Sequence, residues 1–355
     1  MNVEQVRRFQ NRRRSHLSVP ELVEGVKSGD RASLARAITL VESARQEDQE
    51  KAHRVLEGLL KEQSSSIRVG ITGVPGSGKS TFIEALGGYL TGVLGQKVAV
   101  LAIDPSSPVS GGSILGDKTR MAKLSSDPRA FIRPSPSGGS LGGVAWRTRE
   151  TILLCEAAGF SNILVETVGV GQSETAVASM TDFFLLLMIP GAGDELQGMK
   201  RGIIEMTDLI AINKAEGENK VRADAAKQQY SSALHLFPAP LKGWKPRVVT
   251  CSALRHEGIA DIWRTILLYR EQMEQSGYFR KRRSEQARRA MHESIQHELL
   301  EHFLHDPEVQ THIHSVEADV AAGRLSAYRA AQQLLKVHNG NSHAYSTPES
   351  DPADR

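Results

Sequence analysis

Ile67-Arg68-Val69-Gly70-Ile71-Thr72-Gly73-Val74-Pro75-Gly76-Ser77-Gly78-Lys79-Ser80-Thr81-Phe82-Ile83-Glu84-Ala85-Leu86 joins a short apolar run to a helical pattern through a glycine-rich turn. Gly73, Gly78, Lys79 and Ser80 stand at the spacing G-x-x-x-x-G-K-S of a phosphate-binding P-loop. The glycines let successive backbone N–H groups converge on phosphate oxygens at the start of a helix, whose dipole favours negative charge. In such a loop Lys79 bridges the β- and γ-phosphates and the Ser80 hydroxyl ligates Mg²⁺. Gly76, Ser77, Gly78 and Thr81 complete the expected nucleotide contacts. A plain glycine turn is the competing reading, and the complete spacing with both flanks weighs against it.

Outward from this stretch, short apolar runs alternate with helical patterns: Ile67 to Ile71, Val98 to Ile103, Asn162 to Val165, Phe183 to Ile189, Leu209 to Ile212 and Val248 to Thr250. Strands apolar on both faces and separated by helices predict an α/β fold with a mostly parallel central sheet flanked by helices. From Pro20 to about Gln63 the pattern is helical, with Gly29-Asp30 and Gln46-Glu47-Asp48 as separators. Two segments rich in Ser, Gly and Pro, Pro105 to Gly116 and Pro134 to Gly143, read as long functional loops. Helical patterns return beyond Ile259 and run through Tyr278 to His338. Apolar faces without a sheet of their own predict packing on the nucleotide domain or on a second copy. The expected organisation is a helical arm at 1–63, a P-loop domain at 64–270, a helical dimerisation region at 271–338 and a disordered tail at 339–355.

The 355 residues carry a net charge of +3, with 40% apolar and 24% charged residues. No global field argues for nucleic acid, and no apolar stretch reaches membrane-spanning length. Cys155 and Cys251 lie far apart with no partners at metal spacing, which suits a reducing compartment. Arg7, Arg8, Arg12, Arg13 and Arg14 invite a transit-peptide reading, but Glu4 interrupts it and no apolar core follows. A cytoplasm, most simply a bacterial one, is the expected location. His292, His297, His302, His305, His312 and His314 lack a repeated i,i+4 pair and read as a solvated helical face.

Strand ends carry the remaining chemistry. Asn213-Lys214-Ala215-Glu216 follows an apolar strand and looks like the guanine-reading loop of GTPases, where a carboxylate accepts from the N–H groups of the base edge and the Lys stem covers it. Ser252-Ala253-Leu254 resembles the second base-binding loop of the same enzymes. Asp104, Asp117 and Glu166 are carboxylates placed to hold Mg²⁺ directly or through water. Gly169 is placed to donate its N–H to a γ-phosphate. Gln197 and Lys200, in Gly191 to Lys200, are the expected residues of a loop that rearranges with nucleotide state.

Val100 to Pro108, Gly111 to Met121, Val165 to Glu174 and Pro190 to Gly198 together resemble the MeaB/ArgK family of P-loop GTPases, over roughly residues 20 to 335. The resemblance implies a dimeric GTPase using GTP/GDP and Mg²⁺. Its partner would be adenosylcobalamin-dependent methylmalonyl-CoA mutase or a related acyl-CoA mutase, whose cofactor loading it gates and which it protects from inactivation. It further implies phosphate and Mg²⁺ roles for Lys79 and Ser80, metal-site and switch roles for Asp104, Asp117 and Glu166, and a switch loop holding Gln197 and Lys200. Glu216 stands where the family usually has Asp. Two other readings are a kinase that passes the γ-phosphate to a periplasmic amino-acid-binding protein, and a metal-insertion GTPase, which would call for a His- or Cys-rich metal store.

Overall fold

A computed structural model describes residues 17–43, 45–60, 65–103, 121–135, 141–167, 173–191, 201–234 and 243–342. Among them seven strands form one sheet: β1 (Ile67–Gly73), β2 (Val98–Ile103), β3 (Ala130–Ser135), β4 (Asn162–Thr167), β5 (Phe183–Met188), β6 (Leu209–Ile212) and β7 (Arg247–Thr250). Their order is β3-β2-β4-β1-β5-β6-β7 and every pairing is parallel. The chain leaves β1 in one direction toward β2 and β3, then returns through β4 and crosses to β5 on the other side of β1. That reversal opens a crevice at the carboxyl end of β1, where folds of this type bind ligands.

Three helices precede the sheet: α1 (Val19–Lys27), α2 (Arg31–Glu42) and α3 (Gln46–Leu59). Ser18 and Glu21 form a reciprocal capping box on α1, and Asp30 caps α2 by accepting from Ser33 N at 2.8 Å. Such caps each contribute about 1 kcal/mol. Gln46-Glu47-Asp48, read above as a separator, is instead the first turn of α3, where Glu47 and Asp48 complement the helix dipole.

β3 is the strand that the apolar pattern does not predict. Arg133-Pro134 interrupts it and Pro134 opens a segment expected to be a loop; nevertheless Ala130–Ser135 pairs with β2 alone. An edge strand tolerates proline because one side of its backbone has no ladder to complete. Helix then resumes at Leu141, leaving 136–140 outside the described residues.

Helices cover both faces of the sheet. On one, Phe82, Ile83 and Leu86 of α4 (Lys79–Gly88) and Ile262, Trp263, Ile266 and Tyr269 of α10 (Ile259–Gln275) bury Val69 and Ile71. On the other, α6 (Leu141–Ala157) and α7 (Ser173–Met180) cover β2 and β4, and Leu22, Ile38 and Leu56 of the first three helices join the same core. Burying each such side chain contributes about 1.5 to 3 kcal/mol. The short helices α5 (Ala122–Ser126) and α8 (Arg201–Met206) connect strands, and α9 (Asn219–Leu234) packs Tyr230 against β6 and β7.

The long helix α11 (Tyr278–His305) is tied to the amino ends of the strands by a buried ionic network. The Arg283 guanidinium meets both oxygens of Asp182 at 2.9 and 2.7 Å, while Asp182 accepts from Arg68 N at 2.9 Å. Arg68 pairs in turn with Glu156. Residues through Ala287 form one compact unit and those from Arg288 another. The second has its own core of Val309, Val316, Ala330 and Leu334, from α12 (Pro307–Ala321) and α13 (Ala327–Ser342). Thus α13 takes in the first residues of the segment read as a tail. No helix among the described residues is long and apolar enough to cross a membrane.

Candidate functional site

The loop from Gly73 to Lys79 links β1 to α4 at the crevice. A Cβ on Gly73 would lie 2.2 Å from the Leu187 carbonyl oxygen, so only glycine lets β1 leave the sheet this close to β5. Gly78 has φ +86 immediately before the helix, and a Cβ there would stand 2.8 Å from Asn213 Nδ2. Gly76 lies at the turn between them. The fully buried Ser77 hydroxyl oxygen has no hydrogen-bond partner among the described residues, leaving an orphaned polar atom within the loop.

Lys79 is 9% exposed and donates from Nζ to Gly73 O at 2.9 Å and to Val74 O at 3.3 Å, curling back over its own loop. Burial lowers its pKa from the ordinary lysine value, against the opposing fields of Glu166 and then Glu174. Ser80 Oγ donates to Glu166 Oε1 at 3.2 Å. Glu166 is delivered by β4, in register with Ile71 of β1. A hydroxyl and a carboxylate side by side at a P-loop are the hard oxygen donors that Mg²⁺ takes alongside phosphate oxygens and water, so this set fits the ion. Asp104, Asp117, Gln197 and Lys200 lie outside the described residues, as does Gly169.

The second half of the crevice comes from β6 and β7. Asn213, at the end of β6, is 2% exposed; its Nδ2 donates to Ser77 O at 2.8 Å and its Oδ1 accepts from Ala253 N at 2.9 Å. One side chain therefore fastens the P-loop to the Ser252-Ala253-Leu254 loop. Lys214 adopts φ +60, a left-handed conformation rare for lysine, which costs on the order of 1 kcal/mol. Glu216 Oε2 is buried without a hydrogen-bond partner among the described residues. Burial, with the Glu216 charge as the second cause, pushes the nearby Cys251 thiol up to about 12. Ser252 is buried and accepts from Arg255 N at 3.1 Å, whereas Leu254 is exposed. A cavity of about 320 Å³ runs beside α4, with Thr81 and Glu84 on one wall and Ala253, Leu254 and His256 on another.

Sequence reasoning missed two contributors. Cys251 approaches Asn213 Oδ1 at 3.7 Å, and Glu174, buried at the start of α7, reaches Lys79 with its field. Glu174 stands in the quoted stretch Val165 to Glu174, but nothing in the pattern says that its carboxylate faces inward.

Fold and site define a P-loop nucleoside-triphosphatase with a doubly wound parallel sheet. The family described as methylmalonyl Co-A mutase-associated GTPase MeaB matches residues 34–308. The chain is 48% identical over 322 residues to a probable GTPase of Mycobacterium tuberculosis, covering 91% of this chain and 96% of that protein. It is also 48% identical over 329 residues to the mitochondrial methylmalonic aciduria type A homolog of Mus musculus, covering 90% and 79%. A crystal structure of a LAO/AO transport system kinase superposes with a TM-score of 0.69 at 37% identity, covering 90% of this chain and 97% of that one. The chain belongs to the MeaB family of GTPases.

Proposed function

We propose that the protein binds GTP with Mg²⁺ in this crevice, hydrolyses it, and uses the cycle to gate adenosylcobalamin loading and to protect methylmalonyl-CoA mutase or a related acyl-CoA mutase. The observation that carries the nucleotide reading is Asn213, which joins the P-loop carbonyl of Ser77 to the backbone of Ala253. In this reading Gly76, Ser77, Gly78, Lys79, Ser80 and Thr81 surround the phosphates, and Asn213, Lys214, Glu216, Ser252, Ala253 and Leu254 surround the base. Ser80 and Glu166 hold Mg²⁺, with Asp104 and Asp117 completing the metal and switch carboxylates. Bound Mg²⁺ supplies charge neutralisation at the phosphates. Lys79 exchanges its bonds to Gly73 O and Val74 O for phosphate oxygens, and the buried Ser77 hydroxyl gains a partner. Gln197 and Lys200 belong to the loop that answers loss of the γ-phosphate.

The family's description by its association with methylmalonyl-CoA mutase supports a mutase as the partner. Exposed Met291, Ile295 and Leu299, spaced one helical turn apart along α11, support residues 271–338 as a homodimer contact. The protein then acts in the cytoplasm, away from membranes and nucleic acid. Transfer of the γ-phosphate to a periplasmic amino-acid-binding protein is the less favoured reading. Calorimetry with GTP, GDP and ATP, followed by co-purification with candidate mutases in each nucleotide, tests the proposal. Guanine-selective binding and nucleotide-dependent capture of a mutase are expected, and Lys79→Met abolishes hydrolysis. Loss of mutase capture in every nucleotide state refutes the chaperone role; labelled γ-phosphate recovered on a protein favours the kinase.

A further inference from the structure

The end of the sheet opposite the nucleotide crevice carries a second opening. A cleft of about 850 Å³ lies where α10 turns into α11, beside Ser66 at the entry to β1. The seven residues of β1 separate it from the P-loop by about 20 Å. Arg270, Arg280 and Arg283 line the cleft together with Phe279, and Glu274 is the single carboxylate among its lining residues.

The guanidinium donors are only partly used. Arg283 donates from Nε and Nη2 to Asp182 and Ser66 and lies 4.7 Å from the centroid of the Phe279 ring. Its Nη1 has no acceptor among the described residues. Arg270 donates from Nε to Glu274 Oε1 at 2.8 Å, which leaves both terminal nitrogens open. Arg280 is exposed and has neither hydrogen bond nor ion pair among the described residues. Two of the three forks are thus held in place by carboxylates, so little ordering entropy is lost when their remaining donors meet an acceptor.

The run Phe279-Arg280-Lys281-Arg282-Arg283 opens α11, where the helix dipole disfavours cations. Asp208 and Asp182 answer Arg282 and Arg283. No carboxylate among the described residues answers Arg280, so helix stability does not account for it and an anion in the cleft does. We propose that this cleft binds a small organic dianion, a phosphate ester or a dicarboxylate, whose charged end is received by Arg270, Arg280 and Arg283. Guanidinium forks match both kinds of oxyanion bidentately. A cleft of this volume also holds an organic body beside Phe279.

The test is calorimetry on the full chain with phenyl phosphate and with succinate, up to tens of millimolar, in buffers matched in chloride. The native protein is compared with Arg280→Gln, Arg270→Gln and Lys79→Met; Arg283 is left intact because it holds Asp182. Saturable binding of at least one anion is expected, weakened on the order of tenfold in each arginine variant and retained in Lys79→Met. The anion that binds more tightly tells a phosphate ester from a dicarboxylate. Absence of saturable binding by either anion overturns the proposal, as does native affinity in both arginine variants. Binding that is lost in Lys79→Met and kept in the arginine variants assigns the anion to the P-loop and overturns it equally.

Discussion

Replacing Asn213 by Ala removes both bonds that hold the two halves of the crevice together. Asn213 Nδ2 reaches Ser77 O at 2.8 Å and Oδ1 receives Ala253 N–H at 2.9 Å, in a position 2% exposed. Truncation strands two buried backbone groups, each at a cost of about 1 to 3 kcal/mol, so the folded state loses about 2 to 6 kcal/mol. For a unit of this size that is a fall in Tm of about 5 to 10 °C, measured by circular dichroism. Nucleotide affinity falls at the same time, because the P-loop and the Ala253 loop no longer share a strut. Asn213→Asp separates the two bonds: it still accepts from Ala253 N–H but turns a carboxylate oxygen toward the Ser77 carbonyl. It therefore weakens nucleotide binding while retaining part of the stability. An Asn213→Ala protein that loses less than about 1 kcal/mol and binds GTP as before would refute the strut.

Ser80→Ala removes one of the proposed Mg²⁺ donors and raises the Mg²⁺ concentration for half-maximal GTP hydrolysis by at least about tenfold, read from a magnesium titration at saturating GTP. Burial raises the Glu150 carboxyl from 4.5 to about 7, against the weaker opposing field of Arg149. A raised folded pKa means that its contribution is fully favourable below 4.5 and is lost as pH climbs through 7. Glu150→Gln accordingly stabilises the protein by up to about 3 kcal/mol at pH 8 and by little at pH 4.5, compared by urea unfolding at both values. Arg283→Met leaves Asp182 buried and short of its guanidinium, and lowers stability by about 3 kcal/mol in the same assay.

The parallel sheet and the P-loop were legible in the sequence because both are local signals: apolar runs of strand length, and glycines at fixed spacing before Lys79-Ser80. β3 was not, since Arg133 and Pro134 erase the apolar run and only pairing at the sheet edge restores the strand. The start of α3 was misread because Gln46-Glu47-Asp48 is as polar as a loop, although acidic residues are also what a first helical turn favours. Of the site residues, Ser80 and Glu166 come together as their positions at a helix start and a strand end imply. Asn213 was legible as a base-loop residue but not as a strut to Ser77, because that bond spans 136 positions of chain. The inward face of Glu174 follows from how α7 packs, which no spacing in its own segment encodes.

The strand order also dictates when the site comes into being. β1 is made first, yet it pairs with β4 and β5 and not with β2, so its partners emerge from synthesis about a hundred residues later, roughly 5 to 20 s at ordinary elongation rates. During that interval β2 and β3 can pair with each other while β1 waits with both edges bare. The strut from Asn213 to Ala253 closes later still, after β7. In the proposed reading guanine nucleotide is therefore a poor template for the nascent chain, and a chain truncated before residue 250, which lacks Ala253 and the closed strut, is expected to gain less protection from GTP than the full chain.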